Sequence, residues 1–248
     1  MKKLFYTIFI FLLLGVIALC VWQVAPDVKD NAHAKAERER IAEVIEESTE
    51  ENESFSHDAF MQLYEINHDL VAYLEFDSGI VSSPVVQGYT NDSYLRTSFE
   101  KKEYSTQGTL FMDSNATLNS QHFTIFGHNV YYDDKAMFSP VSKLVSQEEY
   151  EKSKTFSLYT SEEKREYEIT NVIYFTQDDY LDYDYLQTEF SSPEAFRYWI
   201  DYVNSRNLIH AEKRITYNDN FVTLQTCRRW NDNTIILVLA VETHRTSY

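Results

Sequence analysis

Eight short runs rich in β-branched and aromatic residues, joined by connections of irregular length, constrain this chain most. They occupy residues 71–76, 81–86, 109–112, 122–126, 155–159, 167–175, 221–226 and 234–241. Branched and ring side chains pack well on a pleated surface, so each run predicts a strand. Eight such strands predict a mainly β fold closed into a barrel. Two helices accompany them. Residues 57–67 space their apolar side chains at three and four, as a helix against a core does. Ser192-Pro193-Glu194 supplies a cap and a first-turn proline, after which Phe196, Trp199, Ile200 and Val203 keep helical spacing to Asn204.

With 44% hydrophobic residues in 248, the chain has enough apolar side chains for a real core, and disorder over most of its length is excluded. The balance of 22 basic against 39 acidic residues gives −17 at neutral pH. A nucleic-acid binder is thereby disfavoured, since such proteins gather excess Lys and Arg. One globular unit with an N-terminal appendage is the economical reading.

The appendage begins Met1-Lys2-Lys3 and continues from Leu4 to Trp22 with Thr7 as the one clearly polar side chain. That run is long enough to span a bilayer. A cleaved secretory signal would have a shorter apolar region and a small-x-small site, which Ala25-Pro26 does not offer. The two lysines on one flank and Asp27 on the other leave the N-terminus cytoplasmic and the remainder outside the cell. Residues 27–54 carry ten acidic and four basic side chains with scattered Ile and Val, which reads as a solvated helical stalk. The division expected is 1–24 as cytoplasmic stub and transmembrane anchor, 25–55 as stalk or linker, and 56–248 as catalytic domain. Beyond the anchor the charge is 20 − 39 = −19, so the external part is expected to be soluble and monomeric.

Two cysteines exist, and Cys20 lies in the apolar run, so Cys227 is a lone thiol in a compartment where thiols usually pair. It is therefore either an inert buried residue or a reactive group. Phe221-Val222-Thr223-Leu224-Gln225-Thr226-Cys227 is an extended run that ends on the thiol just before Arg228-Arg229. A strand end holds the backbone while leaving the side chain accessible, and neighbouring guanidiniums favour a thiolate. A cysteine nucleophile also needs a proton-transfer partner. Of the seven histidines, His128 stands out, because the strand 122–126 runs into Gly127-His128-Asn129 and the glycine is expected to bend the chain there.

These residues resemble the sortases, membrane-anchored cysteine transpeptidases of Gram-positive bacteria. Thr223-Leu224-Gln225-Thr226-Cys227 is similar to the family's TLxTC strand, and Phe126-Gly127-His128-Asn129 to its histidine turn, 99 residues upstream of the cysteine. Residues 66–74, Ser83-Pro84-Val85-Val86-Gln87, Asn91-Asp92-Ser93-Tyr94-Leu95 and Gly108-Thr109-Leu110-Phe111-Met112-Asp113 resemble the class B branch, as does the helix placed before the cysteine strand. The resemblance implies an eight-stranded sortase-type barrel in which Cys227 attacks the backbone carbonyl of a C-terminal sorting motif and His128 protonates the departing amine. An amine of peptidoglycan or of a pilin subunit would then resolve the thioacyl enzyme. No cofactor or metal is implied.

One feature departs from the family. Its arginine near the start of the last strand is missing, since that place reads Asn233-Thr234-Ile235-Ile236. If the chain stays extended past Cys227, period two puts Arg229 on the thiol's face and Arg228 on the other. Arg229 is therefore the expected catalytic arginine and Arg228 the second candidate, the alternative being that both are solvated turn residues and the role is filled otherwise or lost. Thr226 and Arg228 are the expected substrate-binding residues. Asp113, Asp133 and Asp134 are candidates to orient His128. The alternative function is an anchored protein, catalytically weak or inactive, that binds sorting peptides.

Overall fold

The computed structural model describes residues 2–48, 55–100, 102–181, 183–228 and 233–248, with side chains at only part of the positions up to residue 27. Eight strands form a closed barrel: β1 (Leu70–Phe76), β2 (Ser82–Val86), β3 (Leu110–Met112), β4 (His122–Phe126), β5 (Thr155–Tyr159), β6 (Glu163–Phe175), β7 (Phe221–Cys227) and β8 (Ile235–Ser247). Around the barrel the order is β1-β2-β3-β4-β7-β8-β6-β5, and β5 pairs back onto β1. The ladders are antiparallel except β2 with β3 and β4 with β7, which run parallel.

Alternation along each strand sorts the side chains into two populations. Leu74, Val85, Leu110, Ile125, Leu158, Val172, Leu224 and Val238 meet in one buried cluster inside the barrel. The opposite faces are covered from outside in two places. Phe221, Leu237, Leu239 and Ile173 lie under the helix Pro193–Ser205, through Phe196, Trp199, Ile200 and Val203. That helix begins as expected, with Ser192 Oγ accepting the Ala195 N–H at 3.2 Å and proline in its first turn. On the other side Tyr73, Val86, Phe111 and Tyr159 lie under the helix His57–Ile66, through Ala59, Phe60 and Leu63.

A single helix, α1, runs from Lys2 to Ser48 through Pro26, spanning both the expected anchor and most of the expected stalk. The stalk is not solvated all round: Ala34, Glu37 and Ile41 are buried, with Val44 and Ile45 packed beside Ile41. The later α-helices are α2 (His57–Ile66), α3 (Gln147–Lys152) and α4 (Pro193–Ser205). Among the described residues no helix is long and apolar enough to cross a membrane. Side chains at Leu4, Phe5, Ile8, Phe11 and Val21 of the apolar run lie outside the described ones.

Candidate active site

The parallel pairing of β4 with β7 builds the site. Its register runs from His122 opposite Phe221 to Phe126 opposite Gln225. Gly127 N–H extends the ladder by donating to the Gln225 carbonyl at 3.0 Å. His128 and Cys227 each lie two residues past the last pair, on neighbouring strands that run about 4.8 Å apart. Alternation puts both on the outer face: Phe221 and His122 stack there at 4.5 Å, while Val222, Leu224, Phe123 and Ile125 point into the barrel. Asn129 ties the two strand ends together, its Nδ2 donating to the carbonyls of Cys227 (2.9 Å) and Arg228 (3.2 Å).

Gly127, the residue after the end of β4, is not among the residues of positive φ. What it provides is space. A Cβ there would come within 2.5 Å of Leu110 Cδ2 and Phe138 Cδ2, so a side chain would push the end of β4 away from the barrel core.

His128 is fixed from across the groove. Its Nε2 donates to the Leu95 carbonyl at 2.8 Å, which assigns the proton to Nε2 in the neutral ring. Gly108, at φ +63°, lets that carbonyl sit where it does, since a Cβ on residue 108 would fall 2.5 Å from Leu95 O. Burial lowers the His128 pKa, the Leu95 hydrogen bond partly opposes this, and the charge of exposed Arg96 lowers it further. Burial likewise pushes the half-buried Cys227 thiol up. Both shifts favour neutral thiol and neutral imidazole at rest.

A cleft in the β6–β7 connection is tied to the outer face of β7 through Tyr185. Tyr185, from the connection between β6 and β7, donates its hydroxyl to Gln225 Oε1 at 2.9 Å, two residues before Cys227. Tyr180, Leu181, Tyr183, Asp184, Tyr185 and Leu186 line a cavity of about 400 Å³ there. The connection is pinned by His122, buried on the outer face of β4. Its Nδ1 lies 2.7 Å from the Gln187 carbonyl and its Nε2 2.8 Å from Thr223 Oγ1.

Not every expected residue joins the pair. Arg229 lies outside the described residues, as do 230–232. Arg228 turns to the barrel mouth, its guanidinium 4.6 Å from the centre of the Tyr174 ring. Tyr174 packs against the interior cluster, so this is the face opposite Cys227. Thr226, expected to bind substrate, is 1% exposed, on the strand face that points into the barrel. None of the three candidate acids shows a contact with the imidazole. Asp113 accepts from Asn91 and Asn115, Asp133 pairs with Arg38, and Asp134 with Lys143. Sequence reasoning missed Leu95 and Asn129 as partners of the pair. A backbone carbonyl leaves no trace in a sequence, whereas a carboxamide directly after the histidine was a readable signal.

The register sets a half-exposed thiol and an imidazole at neighbouring strand ends, the pair of groups that cysteine acyl transfer requires. The sortase domain matches residues 74–242, more than half of the chain, and the chain belongs to the sortase family of cysteine transpeptidases. It is 26% identical to sortase B of Staphylococcus aureus over 91% of this chain and 90% of that one, and 25% identical to sortase B of Listeria monocytogenes over 86% of each. Among solved structures, a Staphylococcus aureus sortase B–substrate complex superposes with a TM-score of 0.72 at 24% identity, covering 88% of this chain and 97% of that one. A sortase B from Bacillus anthracis gives 0.74 at 23%, covering 87% and 99%.

Proposed function

We propose that the protein is an extracellular, membrane-anchored transpeptidase of class B type that cuts a C-terminal cell-wall sorting motif and joins the new carboxyl end to an amine. Cys227 Sγ passes its proton to His128 as it attacks the scissile carbonyl, forming the C–S bond and a tetrahedral oxyanion. Collapse breaks the C–N bond as His128 gives a proton to the departing amine. An incoming amine, on peptidoglycan or a pilin subunit, then loses its proton to His128 while the thioester opens. Arg229 stabilises the oxyanion, a term large in acyl transfer. The observation that carries this reading is the parallel β4–β7 register, which supports a pairing of Cys227 with His128 at neighbouring strand ends.

The apolar run before residue 23 serves as anchor, and the excess of acidic residues beyond it suits a soluble, monomeric exterior. For the acceptor, support comes from a relative: a sortase B complexed with triglycine superposes with a TM-score of 0.71. The absence of an arginine at the start of β8 favours a second reading, an anchored sorting-peptide binder of little or no activity.

A kinetic comparison with a fluorogenic sorting peptide tests both. Cys227→Ala and His128→Ala should each abolish cleavage with the circular dichroism spectrum unchanged. Arg229→Ala should lose on the order of 10² to 10³ in turnover, as loss of an oxyanion-hole donor does, and lysine should rescue it poorly. Arg228→Ala should lose less than about tenfold, its guanidinium lying on the other face. Cleavage by Cys227→Ala above a trace would exclude the cysteine mechanism. Binding without any turnover by the wild type would favour the second reading.

A further inference from the structure

The imidazole of His128 is held between two loops, and both are fastened to the same residue of α1. One loop is the β2–β3 connection, which contributes the Leu95 carbonyl to Nε2. Its return limb is bonded to the Leu95 side through Ser105 N–H to the Arg96 carbonyl, at 3.0 Å, and ends in Gln107-Gly108, where Gly108 packs on the Leu95 carbonyl. The other loop leaves β4 with His128 and comes back at Phe138, whose N–H donates to the His128 carbonyl at 3.0 Å. Asp133 sits in its turn.

Arg38 reaches both. Its Nη1 donates to Gln107 Oε1 at 2.5 Å and its Nη2 to Asp133 Oδ2 at 2.6 Å. Gln107 is buried, while the side chains of Arg38 and Asp133 are 29% and 30% exposed, so the bridge is more than a solvated surface pair. The helix is seated by further contacts on one of these loops: Asp30 Oδ2 accepts the Thr106 N–H at 2.8 Å, and Arg40 pairs with Glu100.

We propose that Arg38 is a positioning residue for His128, its planar fork joining the two loops that hold the imidazole and so coupling the N-terminal helix to the acid–base group. The inference rests on the proposed function, in which His128 transfers the proton. A guanidinium presents several donors in fixed directions, so it can satisfy an amide oxygen and a carboxylate at once where a lysine cannot. Small displacements of a proton-transfer group are costly, about 10²-fold for a shift near 1 Å. Loosened loops would also admit water to the imidazole. Among the described residues, the charged and titratable groups toward the imidazole are Arg96, on the β2–β3 connection, and Cys227, at the neighbouring strand end.

The test uses the full-length protein and a sorting-motif peptide, with the His128 ring titrated by NMR. Arg38→Ala should lower kcat about ten- to a hundredfold with less effect on KM, and the His128 pKa should rise toward its ordinary value. Arg38→Lys should recover little. Asp133→Asn, which keeps the shape of the turn, should show the same sign, and adding it to Arg38→Ala should cost less than a further twofold. If His128→Ala is dead while Arg38→Ala and Asp133→Asn keep kcat within twofold and the His128 titration unmoved, the inference is overturned and the proposed function stands. Full recovery by lysine overturns it equally. Activity remaining in His128→Ala would instead remove the functional reading beneath it.

Discussion

At the scale of single residues, the site is a nucleophile and an acid–base group whose burial pushes their pKa values apart. The imidazole lies below its ordinary 6.5 and the thiol above its ordinary 9.0. The two titrate as one coupled system, and the active protonation state is most populated between the two macroscopic values. The kcat/KM profile should therefore be a broad bell, rising through a midpoint below 6.5 and falling through one above 9.0. A narrow optimum with both limbs inside that window would contradict the burial argument. A second residue, Gly108, supports the pair without touching it. Gly108→Ala meets both an unfavourable positive φ and the Leu95 carbonyl, so it should cost about 1–3 kcal/mol of stability and reduce turnover by displacing the His128 acceptor. Equal stability and turnover in that variant, by thermal melting and peptide cleavage, would show that the loop accommodates a methyl group. Cys227 and His128 were legible because each follows a strand-forming run and carries chemistry few side chains offer. Leu95 was not, since its part is played by a backbone oxygen.

At the scale of elements, α1 is where the sequence reading and the structure part most. Its charged stretch lacks sustained heptads and reads as a solvated stalk, yet Ala34 is buried and Ile41 packs with Ala59, Phe60 and Leu63 of α2. A few apolar residues among many charges give a weak periodic signal, and ion pairs to distant loops give none. Deleting residues 1–54 should therefore leave a monomer less stable than one deleted only through residue 26. Burying Ile41 with its neighbours is worth about 2–4 kcal/mol, and so about 5–15 °C in Tm for a domain of this size. Equal melting temperatures would mean that the docked helix adds nothing. His122 gives the β6–β7 connection a pH limit. Burial carries its pKa down from 6.5 to about 4, so between those values the unfolded chain binds the extra proton and the native protein does not. Stability from this residue is whole above pH 6.5 and fades as the pH drops toward 4, by about 3 kcal/mol in all. His122→Gln should flatten the fall of Tm between pH 6.5 and 4, and an unchanged slope would assign that fall to the carboxylates.

At the scale of the molecule, all eight strands were legible but their order was not. Alternation marks a strand without saying which neighbour it finds, and the parallel β4–β7 contact joins segments about a hundred residues apart. The expected ends also fell short on β6 and β8, which pair from Glu163 opposite Ser247 to Phe175 opposite Ile235. The polar residues after Val241 carry no apolar alternation, and the ladder alone makes them strand. The short helix α3 was missed for the related reason that six mostly polar residues show no face. What the barrel accomplishes is to set two strand ends from distant parts of the chain in one register, so that a thiol and an imidazole share a wall. The most direct test of that claim is the intact mass of the protein after brief incubation with a sorting-motif peptide and no added amine. The expected result is an adduct equal to the acyl half of the peptide, lost on adding hydroxylamine, absent from Cys227→Ala and strongly reduced in His128→Ala. An adduct that persists in Cys227→Ala, or cleavage of the peptide with no dependence on either residue, would contradict it.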